Sequence, residues 1–272
     1  MEDLTSRVVK TVGKHFVTLS CVQHPPADAQ PKTLVFSGFL IDILGEWFYV
    51  TAGHILRDIG TAIDAGSRFD VWRLDDQTAG NHFSGKAVPY AFELKQWFVL
   101  QDDSQGFDYA IVHIAAFYRR QLEAGGATPI GRTIWSDHVV PADYWALMGI
   151  PSESVKYDGK SVIRARVVVA PLRPAQPPDL AKQKAKNQFY GSPLDGSEAV
   201  FEDADGFSGG PVFALKRVEG RWCYGIIGIQ SAWFRSSRIM AICPFTSFAL
   251  ALKPLVTEAL DEHRRNTGSS SV

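Results

Sequence analysis

The chain has 272 residues, 46% of them hydrophobic and 12% aromatic, which is enough to bury one large core or two smaller ones and too apolar for a disordered segment. Its 28 basic and 29 acidic residues leave a formal charge of -1, so no global field draws it to nucleic acid or to an anionic membrane. The three cysteines, Cys21, Cys223 and Cys243, form no C-x-x-C pair, and no histidines stand at metal-ligand spacing. Structural zinc and a disulfide framework are both excluded on that pattern, and neither a metal nor a cofactor is expected. The acidic start lacks the basic and apolar regions of a secretory signal, and no apolar run reaches the ~18 residues that span a membrane. The expected compartment is the cytoplasm, with the thiols reduced.

In chain order, residues 15–21 are β-branched and aromatic and read as a strand, broken by Pro25, Pro26 and Pro31. Residues 33–44 and 47–51 read as a hairpin around Gly45-Glu46, and the second strand ends in Thr51-Ala52-Gly53-His54. Ile55, Leu56, Ile59 and Ile63 then switch to a helical period. Strands are expected at 68–74, 86–90 and 92–100, a polar loop at 101–106, and a further strand at 107–114. In that last strand Asp108 interrupts an apolar run, and a buried carboxylate needs a hydrogen-bond donor, whether backbone N–H, arginine or histidine. Asp102 and Asp103 lie in the preceding loop and are expected in solvent.

Residues 117–128 read as a helical connector stopped by Gly125-Gly126, which divides the chain into two strand-rich halves. The second half opens with a strand at 144–150. Runs at 154–157 and 160–170 follow, joined by the hairpin signal Asp158-Gly159. Residues 171–188 carry four prolines and the alternate lysines Lys182, Lys184 and Lys186, and read as a solvated loop or a flap facing a substrate. Strands at 212–215 and 222–229 flank Glu219-Gly220, and a last strand is expected at 238–243. The chain closes with a helix on which Phe248, Leu252, Leu255 and Ala259 share a face, with Pro254 as a kink point and a frayed polar end.

Between these strands lies Asp205-Gly206-Phe207-Ser208-Gly209-Gly210-Pro211-Val212, a serine among three glycines. Glycine permits backbone N–H groups to approach a reacting atom closely. A serine hydroxyl is a weak nucleophile that needs a base, and the base needs a carboxylate to orient it. His54, Asp108 and Ser208 supply those three types.

The blocks Thr-Ala-Gly-His, Asp-Tyr-Ala-Ile-Val and Gly-Phe-Ser-Gly-Gly-Pro-Val resemble, in order, the three signature blocks of the chymotrypsin-like (trypsin-like) serine peptidases. The resemblance implies an all-β fold of two packed antiparallel β-barrels with a C-terminal helix. The barrels would span about residues 10–116 and 130–245, the helix 246–264 and the tail 265–272. It implies hydrolysis of a protein or peptide substrate through an acyl-enzyme, with the oxyanion hole formed by the N–H groups of Gly206 and Ser208. It further places Ser231 near Asp108, and Gln230, Ser231, Ala232 and Trp233 along the substrate. Glu202 falls where the family often sets the floor of the specificity pocket, which would favour a basic residue; the alternative is a solvated acidic turn with Asp203 and Asp205.

Phe207 departs from the secreted members activated by cleavage, which carry aspartate at that place. A site without that switch is formed from the start, or is ordered by substrate, an activating partner or an oligomer. Two other readings remain open. Gly206 to Gly210 also fits the G-x-S-x-G elbow of α/β-hydrolase esterases, which requires a helix after the serine. The barrels could also serve as a catalytically silent binding or regulatory module.

Overall fold

A computed structural model describes residues 4–26, 29–75, 87–157, 163–179, 186–195, 201 and 203–268. The first half contains α1 (Leu4–Val12), β1 (Thr18–His24), β2 (Lys32–Phe36), β3 (Phe39–Ile43), β4 (Glu46–Thr51), α2 (Gly53–Asp64), β5 (Arg68–Asp75), β6 (Val88–Pro89), β7 (Phe98–Asp102), β8 (Phe107–His113) and α3 (Ala116–Ala124). The second contains β9 (Tyr144–Gly149), β10 (Lys156–Tyr157), β11 (Ile163–Arg164), β12 (Val168–Ala175), β13 (Phe189–Pro193), β14 (Pro211–Val218), β15 (Arg221–Phe234), β16 (Ile239–Pro244) and α4 (Phe245–Gly268).

Strands β12-β13-β16-β15-β14-β9 close into an antiparallel barrel, and closure removes the exposed edges that an open sheet would leave. The first half is built from two four-stranded antiparallel sheets, β2-β1-β5-β6 and β3-β4-β8-β7, stitched together where Phe16 bridges Phe39. The result is the all-β, two-barrel architecture with a C-terminal helix that the sequence predicts.

Side chains alternate across a strand, and here both faces are covered. Tyr109 and Ile111 of β8 face a core shared between the halves with Phe39, Met148, Ile229 and Phe245. Ala110 and Val112 face the core of the first half with Leu40, Tyr49 and Leu56. Trp145 and Leu147 of β9 enter the second barrel, while Ala146 and Met148 join the shared core. This double burial explains why these strands read as continuous apolar runs.

Several expectations shift in register or length. Residues 33–44 form two strands, β2 and β3, parted at Ser37-Gly38. Residues 171–175 extend β12 through Pro171 and Pro174, and β13 occupies 189–193 just past the expected loop. Lys182, Lys184 and the Asp158-Gly159 turn lie outside the described residues. On α4, Phe248 and Leu252 are buried as expected, but Leu255 is 51% exposed. With Ala259 it borders a groove against Phe48 and Phe98 instead of a filled core. Among the described residues no helix is long and apolar enough to cross a membrane.

Candidate active site

His54 stands where β4 hands the chain to α2. β4 is held on both edges, by β3 and β8, and the pairing of Thr51 with Ala110 brings the start of α2 to Asp108 on β8. At Gly53 a Cβ would lie 3.0 Å from Tyr109 O and 3.1 Å from Asp108 Oδ1, so its absence permits this close approach. The His54 backbone N–H, one of the donors left free at a helix start, donates to Asp108 Oδ1 at 2.7 Å. Its ring Nδ1 bonds Asp108 Oδ2 at 2.7 Å, and Ser231 Oγ donates to the same oxygen at 2.7 Å. The donors that a buried Asp108 requires are therefore a histidine ring, a histidine amide and a serine hydroxyl.

These bonds set the charges. Burial by itself lowers the pKa of His54, but the hydrogen bond and charge of Asp108 outweigh it and raise the pKa above its ordinary 6.5. Burial pushes Asp108 up, yet the bonds from His54, its charge and the Ser231 hydroxyl outweigh this and hold the carboxyl below its usual range. With Asp108 ionised and accepting at Nδ1, the proton of neutral His54 sits on Nδ1. Nε2 is left as the acceptor for a hydroxyl proton.

Ser208 lies in a loop fastened to β15. Gly209 N–H donates to Gln230 O and Gln230 N–H to Gly210 O, each at 2.9 Å. Phe207 N–H bonds Ala204 O at 3.1 Å and Gly210 N–H bonds Phe207 O at 2.8 Å. In contrast, the N–H groups of Gly206 and Ser208, the two expected in an oxyanion hole, take no acceptor among the described residues. Gly209 has φ +86, and a Cβ there would lie 2.1 Å from Thr51 Oγ1 and 2.4 Å from Ser37 O. The serine loop thus meets the end of β4, the strand that leads to His54, with no room for a side chain.

Ser37 is a residue that the sequence analysis did not single out. Fully buried, it donates from Oγ to Gly206 O at 2.8 Å and accepts from Ile150 N–H at 3.0 Å, while its own carbonyl accepts from Thr51 Oγ1 at 2.7 Å. It ties the first half to the Ser208 loop and to the end of β9. The available signal was the polar Ser37-Gly38 interrupting the apolar run 33–44.

His54 and Ser208 line one cleft of about 480 Å³ between the halves. Its other walls include Phe36, Ile59, Phe69 and Gly206, with the exposed carboxylates Asp58 and Asp205 at its edge. Across the Ser208 loop, β15 presents Gln230, fully buried, and Ala232 and Trp233, half-buried. Glu202 lies outside the described residues; beside it Asp203 pairs with Arg235, and Asp205 is exposed. Among the described residues no group of three His, Cys, Asp or Glu could hold a metal ion. Ser208 leads into β14 and not into a helix, which removes the α/β-hydrolase elbow.

The structure matches the scabies mite inactivated protease paralogue S-I1 over 92% of this chain and 96% of that one, with a TM-score of 0.53 at 13% identity. The fold is that of the chymotrypsin-like proteases. Two other neighbours score lower. A thermostable serine protease, AL20, from an extremophilic microorganism is 14% identical with a TM-score of 0.45, over 88% of this chain and 94% of its own. Catalytically active tobacco etch virus protease complexed with product is 12% identical with a TM-score of 0.41, over 86% and 73%. No protein-family model and no curated protein matches the chain. At such identities the likeness extends to the chymotrypsin-like fold, whereas chemistry must be read from the site.

Proposed function

We propose that the chain is a serine endopeptidase. Ser208 attacks the scissile carbonyl, His54 takes its proton and returns it to the leaving nitrogen, and Asp108 orients the imidazole and stabilises its charged form. The negative oxygen of the tetrahedral intermediate would be met by the N–H groups of Gly206 and Ser208. The observation that carries this reading is the pair of 2.7 Å bonds by which Asp108 fixes both the ring and the backbone of His54 beside the cleft shared with Ser208.

The substrate is a protein, and the place of action we propose is the cytoplasm. All three cysteines are free and Cys223 is exposed, which suits a reducing compartment. Phe207, buried in the second barrel, occupies the place of the activating aspartate. Activity therefore does not depend on trimming the amino terminus, and any trigger is the substrate, a partner or an oligomer.

A second reading is favoured by one observation: the neighbour with a TM-score of 0.53 is itself an inactivated paralogue. In that reading the protein binds without cutting. Labelling by a fluorophosphonate probe, with and without cell extract, decides between them. Wild type should be labelled and Ser208→Ala should not; equal absence of labelling in both, with no cleavage of a broad peptide library, favours the silent module.

A further inference from the structure

Two buried side chains of β15, the strand bonded to the Ser208 loop, carry polar atoms without partners among the described residues. Gln230 is 0% exposed, yet neither its Nε2 nor its Oε1 finds a hydrogen-bonding partner among the described residues. The indole Nε1 of Trp233 is also buried and unpartnered.

The two side chains point the same way. Across β15 and β16, Gln230 pairs with Ile242 and Trp233 with Met240, while Ala232 between them pairs with Ala241. Directly opposed residues share a face of the sheet. Ile242 and Met240 belong to the apolar filling of the second barrel, whereas Ala241 packs with Tyr190 in a separate cluster. Gly228, two residues before Gln230, lies on the inner face too, since a Cβ there would touch Ile242 and Phe189. Gln230 and Trp233 therefore both enter the barrel, and the Gln230 backbone is bonded in both directions to the Ser208 loop.

An unpaired carboxamide in an apolar interior is costly, and native proteins rarely keep one without a reason. An apolar residue of similar size would avoid the cost entirely. The unmet atoms are accounted for if a group arriving from outside completes them. With Ser208 as nucleophile, His54 hands its proton to the leaving nitrogen. The leaving half of a substrate then lies over the His54 cleft, and the acyl half runs the other way, along β15.

We infer that the residue whose carbonyl Ser208 attacks carries a carboxamide side chain, glutamine or asparagine, recognised by Gln230 and Trp233; this rests on the acyl-transfer reading of Ser208. A carboxamide oxygen accepts from Gln230 Nε2–H and Trp233 Nε1–H, and its NH₂ donates to Gln230 Oε1. A carboxylate would leave Gln230 Oε1 unmet, an apolar side chain would leave all three atoms unmet, and an ammonium would face two donors. Exchanging the ends of the Gln230 amide changes nothing, because both are unpartnered. Phe201, Ala204, Phe207 and Met240 around this end of the barrel are buried, so the half-buried Trp233 is the side chain that yields to an entering residue.

The test compares kcat/KM for peptides that differ only at that residue, Gln, Asn, Glu, Met and Lys, on wild type and on Gln230→Leu, with Gln230→Met as the second variant should the first not fold. Gln or Asn should exceed Met by about a hundredfold or more, because a site built to bond a polar group rejects an analogue lacking it. Gln230→Leu should lose that ratio and melt at a higher temperature, a combination that a purely structural glutamine would not give. Equal rates for Gln and Met, a preference for Glu or Lys, or a variant that melts lower with the ratio intact overturns the inference. If neither cleavage nor probe labelling occurs, the same peptides are titrated against Ser208→Ala. Tighter binding of the Gln than the Met peptide by about tenfold, a common worth for one buried hydrogen bond, would uphold the carboxamide site while the peptidase reading falls. Equal binding would remove both.

Discussion

Replacing Phe207 by alanine tests whether packing, and not a buried ion pair, holds the Ser208 loop in place. Phe207 is 0% exposed, its ring lies 5.1 Å from that of Phe201, and it presses on Gly149, where a Cβ would fall 2.4 Å from Phe207 Cδ1. Burying an aromatic ring removes roughly 150–250 Å² from water, which at ~25 cal/mol per Å² is about 4–6 kcal/mol. Truncations of this kind measure about 3–5 kcal/mol, so ~4 kcal/mol is the expected loss in urea denaturation at unchanged m-value.

The same residue separates the N–H groups of Gly206 and Ser208. The loosened loop should therefore lower kcat more than it raises KM, since oxyanion contacts form in the transition state. Phe207→Asp should be worse still, because a carboxylate at that place would lie in an apolar cluster and burial without a partner is costly. A loss below about 1 kcal/mol for Phe207→Ala, or an Asp variant as stable as wild type, would refute the reasoning.

Three further outcomes follow from the geometry. Because Asp108 raises the pKa of His54, the base is lost as pH falls, and kcat/KM should drop on the acid side with a midpoint above 6.5. Asp108→Asn should move that midpoint down and lower kcat by roughly 10⁴, and a wild-type midpoint below 6.5 would contradict the assignment. Gly209→Ala forces a side chain against Thr51 Oγ1 and Ser37 O at positive φ; left-handed backbone and overpacking together cost about 2–5 kcal/mol, so a thermal melt close to that of wild type would show the contact to be wrong. His15, bonded to Thr128 O and Tyr224 OH, has its pKa lowered by burial to about 4. Its stabilising neutral form is fully present above 6.5 and is lost as pH falls toward about 4, a change worth ~3 kcal/mol; denaturation midpoints at the two ends of that range should differ accordingly in wild type and much less in His15→Gln.

The sequence by itself determined which chemistry was available. Alternation and β-branched composition marked most strands, Glu219-Gly220 marked its turn, and a carboxylate inside the apolar run of β8 required donors. The expected Gly45-Glu46 turn falls one residue earlier, at Leu44-Gly45, with Glu46 already paired in β4. These are local signals, set by backbone sterics and by the cost of burying charge. Where local signals conflict with tertiary context they mislead. Pro171 and Pro174 read as loop, yet the barrel places them in paired strands, and the apolar face of α4 runs past its core at Leu255.

What only the tertiary structure decided is how separate segments converge. Ser37 could not be seen as a tie to Gly206 because its partners lie more than a hundred positions away. Ser231 and Gln230 are neighbours on one strand, yet their side chains lie on opposite faces of it. Alternation along β15 sends Ser231 to Asp108 and Gln230 to the opposite face, and the register shift between Gln230 and Ala232 brings Trp233 back onto the face of Gln230. A bulge inserts one residue and shifts the phase of the alternation beyond it, so which side chains share a face is fixed only once β16 has paired with β15.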